Sequence, residues 1–424
     1  MTCGFRSRTL HGGHEPEGNG SYAPPIHQTT SYRFESADAA AARYALEADG
    51  DIYSRVSNPT VRTLEQRLAA VEGGVGAVAT NAGMAAIDAL TTVLATVGDN
   101  VVTAGDLYGG TTAYFAHTAG RRGVETRTVD TLDYDAYADA IDEDTAFVHV
   151  ETMANPSLVT PEFERLAEIA HERATPLVVD NTFATPALCR PLEHGADAVW
   201  ESTTKWIHGS GTTVGGVVVD GGTFPWDHPD ADYPELAGEN PAFGIDFTEC
   251  FGEEALTHAV RQRGIRPTGG QQTPFDAWAT LQGLETLDLR MDRHCENTRV
   301  VAEHLRDHPE VAWVTYPGFE EHPTHGNAAR YLDGFGGMLA FGLEDGFSAG
   351  KRFCEAVDLA GFVANIGDAR TLVIHPASTT HAQLSEAEQR AAGVSPDLLR
   401  FSVGLEEPED IIADIDAAIR EATA

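Results

Sequence analysis

Lysine is almost absent from this 424-residue chain: of 28 basic residues only Lys205 and Lys351 are lysines, against 65 acidic residues and a formal net charge of −37. The acids run from end to end and form no tail, so phosphate-rich partners would be repelled over the whole surface; a nucleic acid or an anionic membrane is excluded as partner. Acid-rich, lysine-poor chemistry points to a protein working in very high salt, where screening removes self-repulsion. The expected result is a thermal unfolding midpoint that climbs with potassium chloride concentration; a flat or falling midpoint contradicts it. The other reading is an ordinary acidic enzyme.

Cysteine is scarce too. Cys3, Cys189, Cys250, Cys295 and Cys354 are odd in number, far apart and without a CxxC pair, which suits reduced packing residues in a reducing compartment. No apolar run approaches the roughly 18 residues of a membrane helix, and Met1–His14 has no apolar core of a signal peptide. The expected setting is cytoplasmic. Among the 17 histidines there is no HExxH; His11 with His14 and His322 with His325 lie in Gly- or Pro-containing loops without a third ligand, so solvated histidines and no metal are expected.

What the chain has is apolar patterning, with 42% hydrophobic residues, enough for a packed core. The first 60 residues are rich in Gly, Ser, Thr and Pro and read as an arm (1–60) whose one helical patch is Ala37–Ala48. From Val61, short apolar runs at Ala77–Ala79, Val101–Val102, Ala146–Val148 and Leu177–Val179 alternate with helical patterns, including Pro161–Arg173. Such alternation predicts an α/β fold, a mainly parallel sheet covered on both faces, in a large domain over 61–270. A Pro-broken stretch from about 220 to 270 reads as an insertion over it. A long helical pattern from Pro274 to Leu305 and strand-like pieces at Met338–Phe341, Phe362–Asn365 and Leu398–Val403 predict a smaller α+β domain over 271–424.

In parallel sheets ligands bind beyond the carboxyl ends of the strands, so strand-closing residues carry the interest. Lys205 follows Ala198-Val199-Trp200 through Glu201-Ser202-Thr203-Thr204, an amine among hydroxyls just past a strand. A hemmed-in lysine has a lowered pKa and forms a Schiff base with an aldehyde cofactor; taken alone, a lysine near a strand end is usually only structural. Asp180 closes Leu177–Val179, where a buried carboxylate needs a cation or proton, such as a pyridinium nitrogen, or else caps a turn. Thr80-Asn81-Ala82-Gly83-Met84 joins a strand to a helix, so the N–H groups of Gly83 and Met84 face an anion, with Ser202 and Thr204 at hand; an ordinary turn is the alternative. Gly209–Gly215 lacks the GxGxxG spacing and precedes a strand, and Glu72-Gly73-Gly74 reads as a helix C-cap.

Six segments in order carry a resemblance: Tyr53–Thr60, Asn81–Ala86, Leu107-Tyr108-Gly109-Gly110, Glu151-Thr152-Met153-Ala154-Asn155-Pro156, Val179-Asp180-Asn181-Thr182 and Ser202-Thr203-Thr204-Lys205. Over essentially its whole length the chain resembles the cysteine and methionine metabolism group of pyridoxal-phosphate enzymes, which share the aspartate aminotransferase-like fold (fold type I). The Asn365-Ile366-Gly367-Asp368 run, His375–His381 and the insertion after Asp220 resemble the O-acetylhomoserine sulfhydrylase branch; Asn365 and Gly110 stand where the lyase branches differ. The usual Ser-Ala-Thr-Lys is Ser-Thr-Thr-Lys here. The resemblance implies that Lys205 holds pyridoxal phosphate and shuttles protons, Asp180 keeps its ring nitrogen protonated, Tyr108 stacks on the ring with a part in catalysis, and Asn155 bonds its phenolic oxygen. Gly83, Met84, Ser202 and Thr204 would hold the phosphate, with Tyr53 and Arg55 reaching it from a neighbouring subunit. Arg400 would clamp the substrate carboxylate beside Asn365. The implied reaction is γ-replacement of acetate in O-acetylhomoserine by sulfide or a thiol, in methionine and cysteine biosynthesis, by a homotetramer built as a dimer of dimers. Cystathionine γ-synthase or γ-lyase activity is the alternative among enzymes, and a cofactor-free scaffold the alternative outside them.

Overall fold

The apolar runs read from the sequence become strands of one sheet, three of them inner strands and Ala77–Ala79 the edge strand at one side. The computed structural model describes residues 4–13, 20–383, 385–391 and 393–424; Cys3 and His14 lie outside them. Strands β1 (Gly76–Thr80), β2 (Asn100–Ala104), β3 (Glu125–Val129), β4 (Thr145–Glu151), β5 (Leu177–Asp180), β6 (Ala198–Glu201) and β7 (Gly216–Asp220) line up in the order β1-β7-β6-β5-β4-β2-β3. Pairing is parallel except at β7, which runs antiparallel to both neighbours. The Gly-rich stretch between β6 and β7 contains no crossover helix, and without one the chain returns antiparallel. β2, β4, β5, β6 and β7 are buried at every residue, as expected of strands covered on both faces. β3 was not anticipated: Glu125-Thr126-Arg127-Thr128 has no apolar run because this edge strand, unlike the covered β1 at the other edge, is largely uncovered, and charge there discourages further pairing.

The second sheet contains β8 (Val311–Thr315), β9 (Met338–Leu343), β10 (Gly361–Phe362), β11 (Leu372–Ile374) and β12 (Leu398–Ser402), in the order β10-β11-β12-β9-β8. The helices Gly346–Ala356 and Pro408–Thr423 help bury its core around Phe341, Phe353 and Phe401. The larger core runs on through Ala277, Leu281, Leu284, Leu287 and Met291, and the second begins at Val301, so the helix Leu287–Asp307 serves both.

Four local expectations change. The helical pattern from Pro274 is two helices, Pro274–Leu284 and Leu287–Asp307, because Gly283 backs onto the His208 carbonyl and its own carbonyl accepts from Arg290 Nη2 at 2.8 Å. The expected strand Phe362–Asn365 leaves the sheet after Phe362, and the departing residues carry Asn365 toward the larger sheet. In the arm, a helix Phe5–His11 joins the expected one, which spans Ala37–Tyr44 and buries no residue. His322 is buried rather than solvated, its Nε2 3.2 Å from the Ser157 carbonyl. Helix Pro59–Glu72 does end at Gly73, as the Glu-Gly-Gly run anticipates.

Among the described residues no helix is long and apolar enough to cross a membrane, and no group of three His, Cys, Asp or Glu residues is placed to hold a metal.

Candidate active site

Beyond the carboxyl ends of β4, β5 and β6 lies a cavity of about 240 Å³. Gly83, Met84, Tyr108, Asn155, Asp180, Ser202, Thr204, Lys205, Asn365 and Arg400 all line it, so ten residues chosen from sequence meet in one place. Tyr53 and Arg55 do not. Tyr53 is 44% exposed, and the Arg55 guanidinium lies 5.5 Å from the Tyr53 ring centroid and donates to the Arg266 carbonyl.

The strand ends supply the charge. Asp180 closes β5 and is buried; its Oδ1 accepts from the Thr182 N–H at 2.9 Å, and no cationic side chain among the described residues pairs with it. Burial pushes its carboxyl up to about 7. Glu151 closes β4 in register with Asp180. It accepts the backbone N–H of Tyr108 at 2.5 Å and that of Asn155 at 3.1 Å, tying both loops to the strand. Burial first, then the Asp180 charge, lifts it well above the usual carboxylate range. Sequence reasoning passed over Glu151, which lines the cavity. The signal was present: three neighbouring apolar strands each end in an acid, His149-Val150-Glu151, Val178-Val179-Asp180 and Val199-Trp200-Glu201.

Lys205 follows β6 in a turn, its Nζ 2.6 Å from Asn365 Oδ1. Burial, then the positive charge of Arg400, lowers its amine to about 8. Arg400, on β12, donates from Nη1 to Asn155 Oδ1 at 3.3 Å, and burial lowers its guanidinium to about 10. The loop bearing Asn365 fits because Gly367 has φ +70° and sits where a Cβ would come 2.7 Å from the Trp206 nitrogen. No side chain fits there without shifting the lysine turn.

At the other end of the cavity the helix Gly83–Leu94 starts after Thr80-Asn81-Ala82. Its first-turn N–H groups and dipole favour an anion. A Cβ on Gly83 would lie 2.8 Å from the Ser202 Cβ, so glycine leaves the space between helix and β6 open. Thr204 Oγ1 is already engaged with the Gly215 N–H at 3.0 Å and carbonyl at 3.1 Å.

This arrangement presents a low-pKa amine and two arm's-length polar anchors at one end, a buried carboxyl in the floor and an anion cradle at the other end. A model of the Cys/Met metabolism PLP-dependent enzymes matches residues 6–420. The chain is similar to a homocysteine synthase of Schizosaccharomyces pombe, 46% identical over 99% of this chain and 98% of that one. It is 47% identical to O-acetyl-L-homoserine sulfhydrylase 1 of Thermus thermophilus, over 98% of this chain and 99% of the relative. A solved structure from Campylobacter jejuni, assigned as an O-acetylhomoserine (thiol)-lyase and carrying N'-pyridoxyl-lysine-5'-monophosphate, superposes with a TM-score of 0.95 at 35% identity, covering 99% of this chain and 100% of that one.

Proposed function

The chain belongs to the Cys/Met metabolism PLP-dependent enzymes, a fold type I α/β architecture, and from that premise we propose that it converts O-acetylhomoserine and sulfide to homocysteine and acetate. The observation that carries the chemistry is the meeting of Lys205 and Asp180 in one cavity. The residues fit pyridoxal phosphate: an amine depressed to about 8, a buried carboxyl lacking a cation, and a helix N-terminus opened by Gly83.

When bound, the cofactor supplies an electron sink for the α-carbon of an amino acid. Lys205 would join its aldehyde carbon, and Asp180 would hold the proton on its ring nitrogen, a partner that satisfies the buried carboxyl. Gly83, Met84, Ser202 and Thr204 would hold the phosphate, Tyr108 would cover the ring, and Asn155 would meet its phenolic oxygen. In substrate turnover the Lys205 amine takes the α-proton and returns protons later; its lowered pKa leaves a minor but usable fraction of it uncharged near neutrality. Arg400 clamps the α-carboxylate with its planar fork, and Asn365, within reach of the amine, orients it. Across the reaction the Cγ–O bond breaks with its electrons leaving on acetate, and a Cγ–S bond forms from sulfide. Tyr53 and Arg55 serve the cavity of a second copy, a reading supported by their lying outside the cavity of their own chain. We extend it to a dimer of dimers and to a cytoplasmic, high-salt setting, for which the −37 charge and two lysines argue.

The test is a panel of O-acetylhomoserine, O-succinylhomoserine and cystathionine, each with and without sulfide. Homocysteine is expected from O-acetylhomoserine only when sulfide is present. Cleavage of cystathionine without sulfide as the dominant activity would replace this reading with a lyase.

A further inference from the structure

Two more acids are enclosed outside the cavity lining, close to the strand end that carries Asp180. Glu201 closes β6, next to the strand that carries Asp180, and Glu72 is the last residue of the helix Pro59–Glu72. Both are 0% exposed. Glu72 Oε1 accepts from Asn181 Nδ2 at 2.8 Å. Glu72 Oε2 and both oxygens of Glu201 are buried with no donor among the described residues.

Glu72 and Glu201 lie within hydrogen-bonding reach of each other, and three acceptor atoms on two facing, fully buried carboxyls call for a donor. Two charges there would repel at low dielectric and leave the oxygens bare. One proton resolves both problems, because the protonated acid donates to the other, as in carboxyl pairs that titrate as a unit. Among the described residues no neighbouring side chain donates to these three oxygens, and Arg190 acts on Glu72 only through its charge. Asn181, the residue after β5, reaches only Oε1 of the pair; its Nδ2 also donates to the Cys189 carbonyl at 2.9 Å, and its Oδ1 accepts from Thr152 Oγ1 at 2.8 Å. The Cys189 thiol is kept protonated by burial. Arg190 is engaged with Glu193, Nε to Oε1 at 2.7 Å. Asp180 is itself a buried acid, and Glu151 lies beyond it on β4.

We propose that Glu72 and Glu201 share a single proton and act as a positioning pair near Asp180, fixing Asn181 through Glu72 Oε1 and keeping one negative charge close to the strand end that meets the cofactor. The second half rests on the functional reading above; the first stands without it. Burial raises both carboxyls, Glu72 to about 7. In the unfolded chain both glutamates are ionised above about pH 5. The folded pair keeps a proton that the unfolded chain has lost, so it costs stability as pH rises from the unfolded pKa through the folded one.

The experiment compares the full-length protein with E201Q, E72Q and the double variant at fixed potassium chloride. A single Gln keeps the shape, donates to the remaining carboxylate and preserves one negative charge, but carries no titrating proton. Thermal midpoints are read from about pH 5.5 to about pH 8.5. The wild-type midpoint should fall across this window; each single variant should fall less, keeping only the slope that Asp180, Glu151 and Asp220 supply in all the proteins, and the double variant should be no flatter than either single. A wild-type slope in both single variants, or flattening that adds in the double, overturns the shared proton. If the double variant fails to fold, the two singles decide. The charge is read separately as the dissociation constant of added pyridoxal phosphate. It should hold in the singles and weaken at least about tenfold in the double variant, which has lost the charge. Unchanged affinity in the double overturns the electrostatic half. A wild type that does not bind pyridoxal phosphate would instead sink the functional reading, while the pH slopes still decide the pair.

Discussion

Lys205→Ala loses homocysteine formation, by at least about 10⁴-fold, together with the visible absorbance of lysine-bound cofactor, whereas Lys351→Ala loses neither. The two lysines share chemistry and differ in surroundings. Lys351 lies at the surface, its side chain 57% exposed and 3.9 Å from Glu355, a contact worth little in water. Lys205 is enclosed with Arg400 nearby, so part of its amine is uncharged near neutral pH, and Asn365 Oδ1 holds it in place. Alanine removes both the attachment point and the group that moves the α-proton. The measurement is steady-state homocysteine formation with absorbance spectra of both variants; turnover retained in Lys205→Ala ends the assignment.

Inactive chains should rescue each other. Mixing Arg55→Ala with Lys205→Ala, unfolding and refolding the mixture should recover about a quarter of the wild-type sites. In a mixed dimer one cavity takes Lys205 from one chain and Arg55 from the other and is whole; the second cavity carries both defects. Random pairing makes roughly half the dimers mixed, and half their sites are intact. The motive is geometric. Arg55 and Tyr53 stay together on the arm, outside the cavity that gathers the other ten predicted residues. Arg55→Ala must first be shown to be nearly inactive alone, since losing one phosphate contact can simply weaken cofactor binding. Mixed dimers confirmed by mass but without activity would show that the two residues do not share a site.

The sequence by itself determined those features whose signal is local. A run such as Leu177-Val178-Val179-Asp180 states both that a strand is buried on two faces and that an acid closes it. The strand-to-helix turn at Asn81–Gly83 announces a helix N-terminus, and a lysine in a chain with only two stands out. Polar edge strand β3 was silent because nothing buries both its faces. The split of the helix after Leu284 was silent because it depends on contacts of Gly283 with His208 and Arg290. Tertiary structure alone decided which distant groups touch. It brought Asn365 to Lys205 by ending β10 early, and it set Glu72, at a helix end, against Glu201, at a strand end. It also kept Tyr53 and Arg55 out of their own chain's cavity. Periodicity records which face of an element is buried. Which carboxyls must share a proton depends on how separate elements pack and how fully they exclude water.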